Sequence, residues 1–343
     1  MATDESVLLE VRDLRTYFHL DEGIMKAVDG VSFELKRGRT LGIVGESGCG
    51  KSVTTLSILH LLPAFAKLEG DILLRLNKGE RKGSVVNLAK LNPRGKEYQR
   101  IRGGEIAMIF QEPMKAFSPV HTIGNQITES IRLHRTRDKK QAREIATELL
   151  GSVGISNPAQ RLNEYPHQLS GGMRQRAMIA MAISGLPSVL IADEPTTALD
   201  VTIQAQVLRL MNDLKAGHDM SVIFITHDLG VIAEMADDVA VMYAGKIVEY
   251  ATVEKLFQAP AHPYTIALMN AMPSMNGRGE RLASIEGSVP ILMNLKPGCP
   301  FFSRCGHAVK GLCDRSEVGL TQVSPNHWVR CALANQTGQG AAI

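Results

Sequence analysis

The sequence predicts an α/β fold: a parallel sheet with a helix between its strands, an antiparallel β section ahead of it, a mostly helical middle segment and a small cysteine-bearing C-terminal domain. Three observations predict it. Short unbroken apolar runs at Leu41-Gly42-Ile43-Val44, Val189-Leu190-Ile191-Ala192 and Val222-Ile223-Phe224-Ile225 have the length and composition of strands buried on both faces. The last two flank a helical pattern that starts near Val201 and carries Leu208, Leu210, Met211 and Leu214, and strand, helix, strand implies parallel pairing. Four of the five cysteines, Cys299, Cys305, Cys313 and Cys331, fall beyond Pro260, where prolines punctuate a weakly periodic segment.

Taken in order, Leu8 to Leu14 and Val28 to Leu35 alternate apolar and polar, which predicts two half-exposed antiparallel strands. After the first buried run, Gly45-Glu46-Ser47-Gly48-Cys49-Gly50-Lys51-Ser52 matches G-x-x-x-x-G-K-[ST] and leads into a helical run from Val53 to Leu62. A strand before and a helix after are the context that makes this a phosphate loop. Gly45, Gly48 and Gly50 let the chain curl, so that successive N–H groups along Ser47, Gly48 and Cys49 point inward at the positive end of the helix. Lys51 supplies a mobile cation for phosphate, and Ser52 a hydroxyl for Mg²⁺. Cys49, beside Lys51 and a helix start, is expected to favour its thiolate.

Gly70 to Gly104 reads as a polar, irregular β excursion, and Val120 to about Gly185 as mostly helical. Within the latter, Leu169-Ser170-Gly171-Gly172-Met173 opens a helix. Ser170 suits an N-cap, and the free N–H groups of Ser170, Gly171 and Gly172 suit either a plain capping loop or a second anion site. The run Val189 to Ala192 ends in Asp193-Glu194. With a phosphate loop upstream, Asp193 is placed to hold Mg²⁺ through its water shell and Glu194 to polarise an attacking water; alone, the pair would read as an acidic cap for the next helix. Val239 to Tyr243, Ala244-Gly245 and Lys246 to Glu249 read as a hairpin.

With 343 residues, 44% apolar and 21% charged, the chain has material for a full core and two domains, and 38 basic against 35 acidic residues give no broad field for wrapping nucleic acid. The longest mostly apolar stretch, Ala177 to Ala192, is interrupted by Ser184, Gly185 and Pro187, so no membrane-spanning helix is expected. Met1 to Glu10 carries three acids and no basic segment ahead of an apolar run, so a cytosolic chain is expected. In that compartment four clustered thiols suit a metal or iron–sulfur site better than disulfides. Their spacing, C-x5-C-x7-C-x17-C, matches neither the common zinc-finger nor the ferredoxin pattern, and four thiolates suit either Zn²⁺ or a [4Fe–4S] cluster. His307 and His327 are reserve ligands, expected at the surface.

The order of the phosphate loop, Gln111, Leu169 to Met173, Asp193-Glu194, Ala198-Leu199-Asp200 and His227 resembles the ATPase subunit of ATP-binding-cassette transporters, over residues 7 to about 255. The resemblance implies a P-loop NTPase cassette with an N-terminal antiparallel β subdomain and a helical signature subdomain, dividing the chain into an ATPase domain of residues 1–255 and a C-terminal domain of residues 256–343. It implies ATP and Mg²⁺, and two cassettes facing head to tail, each ATP lying between one phosphate loop and the other's Ser170, Gly171 and Gly172. It also implies that Phe18 stacks on adenine, with Tyr17 as the neighbouring candidate, and that Gln111 contacts Mg²⁺ and water. Asp200 then crosses the dimer interface, His227 reaches the γ-phosphate, and Glu194, being present, makes hydrolysis competent.

His262-Pro263-Tyr264-Thr265 and Gly298-Cys299-Pro300-Phe301-Phe302-Ser303-Arg304-Cys305 further resemble the tail of ATPases serving dipeptide and oligopeptide importers. Relatives with that tail resemble iron–sulfur proteins, which implies a [4Fe–4S] cluster, with Zn²⁺ the alternative. The resemblance implies two integral-membrane permease subunits, an extracytoplasmic solute-binding protein and a peripheral position on the cytoplasmic face of the inner membrane. Met173 in the signature, followed by Arg174-Gln175-Arg176, resembles one of two non-identical ATPases, so a heterodimer is expected. The rival is a soluble cassette ATPase acting on nucleic acid or ribosomes, but such chains usually carry two cassettes or a coiled-coil insertion, and here each motif occurs once without sustained heptads. No [NT]-K-x-D guanine motif occurs either. The transported solute, whether dipeptide, longer peptide, nickel chelate or oligosaccharide, is not written in this chain.

Overall fold

The computed structural model describes residues 5–196, 200–272, 285–293, 297–315 and 317–334. The N-terminal part runs β1 (Val7–Leu20), β2 (Gly23–Lys36), β3 (Thr40–Val44), α1 (Lys51–Ile58), β4 (Ala66–Arg75), β5 (Val85–Asn87), α2 (Lys96–Ile101) and β6 (Ile106–Ile109). A helical stretch follows: α3 (Pro113–Ala116), α4 (Ile123–His134), α5 (Lys139–Ser152), α6 (Pro158–Arg161) and α7 (Gly171–Ile183). Then come β7 (Val189–Asp193), α8 (Val201–His218), β8 (Ser221–Thr226), α9 (Leu229–Met235), β9 (Asp238–Tyr243) and β10 (Lys246–Thr252). The described tail holds α10 (Val253–Gln258), α11 (Pro263–Asn270), β11 (Thr321–Ser324) and β12 (His327–Val329). None of the described helices is long and apolar enough to cross a membrane.

The chain folds into two compact units, interleaved in sequence: Met1–Leu9, Leu35–Thr40 and Leu73–Ile225 form the first, and Glu10–Glu34, Leu41–Ile72 and Thr226–Ile343 the second. The first is built on parallel strands β6, β7 and β8, with Ile109 opposite Ala192 and Asp193 opposite Ile225. All five residues of β7 and all six of β8 are buried, as unbroken apolar runs require. Helices α4, α5 and α7 pack together, their apolar stripes supplying Ile127, Ile131, Ala146, Leu150 and Met178 to the core. The excursion at Gly70 to Gly104 is β in part, where Leu73 to Arg75 pair antiparallel with Val85 to Asn87, but it also contains α2.

In the second unit β3 pairs parallel with β9, and Gly42 lies under α9: a Cβ there would come 2.7 Å from the Ile232 side chain. Ala244 and Gly245 turn β9 into antiparallel β10 with φ of +47° and +78°, the double left-handed conformation that two-residue hairpins favour. Beyond β10 the tail joins this sheet: β12 pairs with β10, Glu249 to Ala251 lying opposite Val329 to His327, and β11 pairs with β12. Two short strands thus cover an edge that would otherwise stand open.

Candidate functional site

The phosphate loop belongs to the second unit. It leaves β3 at Gly45, where a Cβ would lie 2.2 Å from the Met242 carbonyl oxygen, and reaches α1 through Gly50, where φ is +104° and a Cβ would lie 2.3 Å from the Ala27 carbonyl oxygen. Only glycine fits either position. Lys51, 5% exposed, folds back into the curl and donates to the carbonyl oxygens of Gly45 at 2.7 Å and Glu46 at 3.0 Å. Its ammonium therefore already occupies the concavity, held by weak neutral acceptors that an anion can replace. Ser52 lies in the first turn of α1, where helix N–H groups and dipole favour negative charge.

Cys49 does not fit its expectation. Its side chain is fully buried, and that burial pushes the thiol up, the nearby Lys51 charge acting against it only in part. Phe18 also differs from expectation: it is 7% exposed, a core aromatic with its ring centroid 5.8 Å from that of Phe65. Tyr17, on the opposite face of β1, is half-buried; its hydroxyl donates to Asp29 and Lys26 Nζ stands 5.4 Å from its ring. His227 is exposed on the turn between β8 and α9, a corner fixed by Asp228, whose N–H donates to Thr226 Oγ1 and whose carboxylate caps Gly230 and Val231.

In the first unit Asp193 ends β7 and is 5% exposed. Glu194 follows with φ of +46°, a left-handed backbone that costs a non-glycine residue of order 1 kcal/mol and turns the chain off the strand. Its N–H still donates to Ile225 O at 2.9 Å, and the Gln111 side-chain amide donates to its Oε2 at 2.9 Å. The structure thus brings two of the expected catalytic residues together. Buried Gln175 of α7, which sequence reasoning passed over, donates to Pro195 O and ties the signature helix to the segment after Glu194. The only sequence signal for it is an amide on the apolar face of a helix.

Ser170 caps α7, its Oγ accepting from Met173 N–H at 3.3 Å, and a Cβ on Gly171 would meet nothing within 4 Å. With Gly172 next in the helix, this opens an N-terminal turn that capping alone does not require. Asp200 caps α8 by accepting from Ile203 N–H at 2.9 Å; Ala198 and Leu199 lie outside the described residues.

The four tail cysteines line one pocket of the second unit, together with His262 and Phe301. All are free thiols; burial pushes Cys299 up to about 11 and raises Cys305 and Cys331 as well. Among the described residues no group of three or more His, Cys, Asp or Glu side chains is arranged to hold a metal ion, so neither the [4Fe–4S] nor the zinc expectation is shown. His262 is fully buried, and its burial lowers it to about 4. Its Nδ1 accepts from Tyr264 N–H at 3.0 Å, which leaves the proton on Nε2. His307 is exposed as expected, but His327 is not at the surface: it is 3% exposed, with Nε2 2.7 Å from Glu249 Oε1.

Comparison with known proteins agrees with this geometry. Residues 28–197 match the family model of the ABC transporter, and residues 248–313 that of the oligopeptide/dipeptide transporter C-terminal region. The chain is 51% identical to a probable peptide ABC transporter ATP-binding protein of Sinorhizobium fredii, y4tR, over 96% of each chain. It is 48% identical to the dipeptide transport ATP-binding protein DppD of Bacillus subtilis, over 98% of this chain and 97% of that one. In fold it is similar to the ATP-binding cassette MJ0796, solved as a dimer with ADP and Pi, at a TM-score of 0.61 over 72% of this chain and 99% of that one, with 24% identity. A phosphate loop with its lysine in place, a carboxylate at a parallel strand end and an oligopeptide-type tail all agree with these matches: the chain belongs to the ATP-binding subunits of the ABC transporter family, in the oligopeptide/dipeptide branch.

Proposed function

We propose that the chain hydrolyses MgATP to power import of peptides or similar small solutes through a membrane permease. The observation that carries this reading is the phosphate loop with Lys51 seated in it, in a chain whose tail matches the oligopeptide/dipeptide transporter region. Lys51 exchanges the Gly45 and Glu46 carbonyls for the β- and γ-phosphates, and the loop N–H groups take the phosphate oxygens. Ser52, Gln111 and Asp193 would hold Mg²⁺, which neutralises phosphate charge. Glu194 accepts the proton of the attacking water, and the Gln111 amide orients its carboxylate. His227 contacts the γ-phosphate.

The exposed start of α7 at Ser170, Gly171 and Gly172 serves the nucleotide of a facing cassette, with Asp200 at the same interface. The facing cassette is a second, homologous ATPase. The pair docks on two permease subunits at the cytoplasmic face of the membrane and serves an extracytoplasmic binding protein. Cys299, Cys305, Cys313 and Cys331 would hold a [4Fe–4S] cluster, with zinc the alternative; the pocket that all four line supports a shared ligand. The test is uptake of a labelled peptide by cells that express only this importer: deleting the chain should abolish uptake, and undiminished uptake would sink the proposal.

A further inference from the structure

We infer that Arg304 and Tyr264 of the tail are positioning residues for the phosphate loop, acting through Glu46. Glu46 is a variable position of the loop motif, and nothing in phosphate binding needs its side chain. Yet Arg304 holds that carboxylate at both oxygens, Nη1 to Oε2 at 2.7 Å and Nη2 to Oε1 at 3.0 Å. The Arg304 side chain is 4% exposed and that of Glu46 27%, so water screens the pair far less than a surface bridge. The guanidinium has no freedom to wander: Nε donates to Glu286 O at 2.8 Å, Nη1 to the Tyr243 hydroxyl at 3.3 Å, and it lies over the Tyr243 and Phe301 rings.

The second hold is on the backbone. Glu46 N–H donates to the Tyr264 hydroxyl at 2.9 Å, and the Tyr264 side chain is fully buried against Tyr243 and Phe301. A trans peptide is planar, with its C=O and N–H pointing opposite ways. Fixing Glu46 N–H on the outside of the loop therefore fixes the Gly45 carbonyl on the inside, and that carbonyl is the nearer acceptor of Lys51 Nζ. Both holds originate in the tail: Tyr264 follows His262, whose ring lines the cysteine pocket, and Arg304 immediately precedes Cys305. The order of the tail is thus read at the nucleotide site through one residue of the phosphate loop.

This rests on the phosphate-loop reading, and the experiment separates the two. The full-length chain, in its complex, is assayed for the KM and kcat of MgATP hydrolysis as wild type, Lys51→Ala, Glu46→Gln, Arg304→Gln, Arg304→Lys and the Glu46→Gln/Arg304→Gln double variant. Glu46→Gln and Arg304→Gln should each raise KM about tenfold with a smaller change in kcat, and the double variant should be no worse than either single one. Arg304→Lys, keeping the charge but not the fork, should fall between. If Arg304→Gln fails to fold, Glu46→Gln carries the test, since it leaves the tail untouched. Unchanged KM in both single variants, or additive effects in the double, overturns the inference while Lys51→Ala still abolishes turnover. Full activity of Lys51→Ala overturns the phosphate-loop reading, and the inference with it.

Discussion

The Gln111 side-chain amide donates to Glu194 Oε2 at 2.9 Å, across residues that lie 83 positions apart in sequence. The register of the sheet explains the meeting. Ile109 lies opposite Ala192 in parallel neighbours β6 and β7, so two residues further along both chains Gln111 comes opposite Glu194. Glu194→Gln should leave MgATP binding intact and lower turnover at least about a hundredfold, because an amide cannot accept the proton of the attacking water. Gln111→Ala should lower kcat more than it weakens binding. Single-turnover hydrolysis with parallel nucleotide-binding measurements checks both, and brisk turnover by Glu194→Gln would remove Glu194 as the base.

Cys49 supplies a test that runs against its position in the motif. Although it lies beside Lys51, the thiol is buried and pushed up, so the native chain should resist maleimide at Cys49 near pH 7 with or without ATP, and label there only in denaturant. Peptide mapping of the labelled protein reads this directly. Rapid native labelling blocked by ATP would show that the thiolate is exposed after all.

Glu249 is fully buried in β10 and accepts from Ala261 N–H at 2.8 Å, His262 N–H at 2.8 Å and His327 Nε2 at 2.7 Å. Glu249→Ala strands all three groups in the core and should cost about 3–5 kcal/mol, whereas Glu249→Gln keeps an acceptor oxygen and should cost less than half of that. Denaturant titration of the three proteins measures it. Equal stability of wild type and Glu249→Ala would contradict the placement of this cluster.

The cysteine pocket makes an analytical prediction. Chain purified without oxygen should contain about four iron and about four acid-labile sulfide per molecule and absorb in the blue, and Cys305→Ser should lose most of both. One zinc per chain with no sulfide would contradict the cluster.

Much of the fold is legible in the sequence wherever a period speaks: β3, β7 and β8 are unbroken apolar runs, and Ala244-Gly245 announces its turn. Phe18 shows why legibility stops. Leu9 and Val11 of β1 are buried, and simple alternation would turn Tyr17 inward and Phe18 outward. Asp13, with φ of +46°, breaks the alternation, so that Leu14, Thr16 and Phe18 are the buried set beyond it. A second irregularity between Ile247 and Glu249 precedes the buried carboxylate that His327 meets. The motif residues of the nucleotide site are legible because their spacing is local. Arg304 and Glu46 are not, since their contact spans 258 positions and rests on a three-residue 3₁₀ turn, Phe302 to Arg304, with no periodicity to read.

The central claim, that ATP hydrolysis by this chain drives peptide import, is tested most directly by reconstituting the chain with its permease, partner ATPase and binding protein in liposomes and measuring labelled-peptide uptake with MgATP on the cytoplasmic side. Wild type should accumulate peptide in proportion to ATP hydrolysed, and Glu194→Gln should bind ATP and accumulate none. Peptide accumulation by the Glu194→Gln complex at the wild-type rate, or ATP hydrolysis by wild type that no peptide stimulates and no uptake accompanies, would contradict the account.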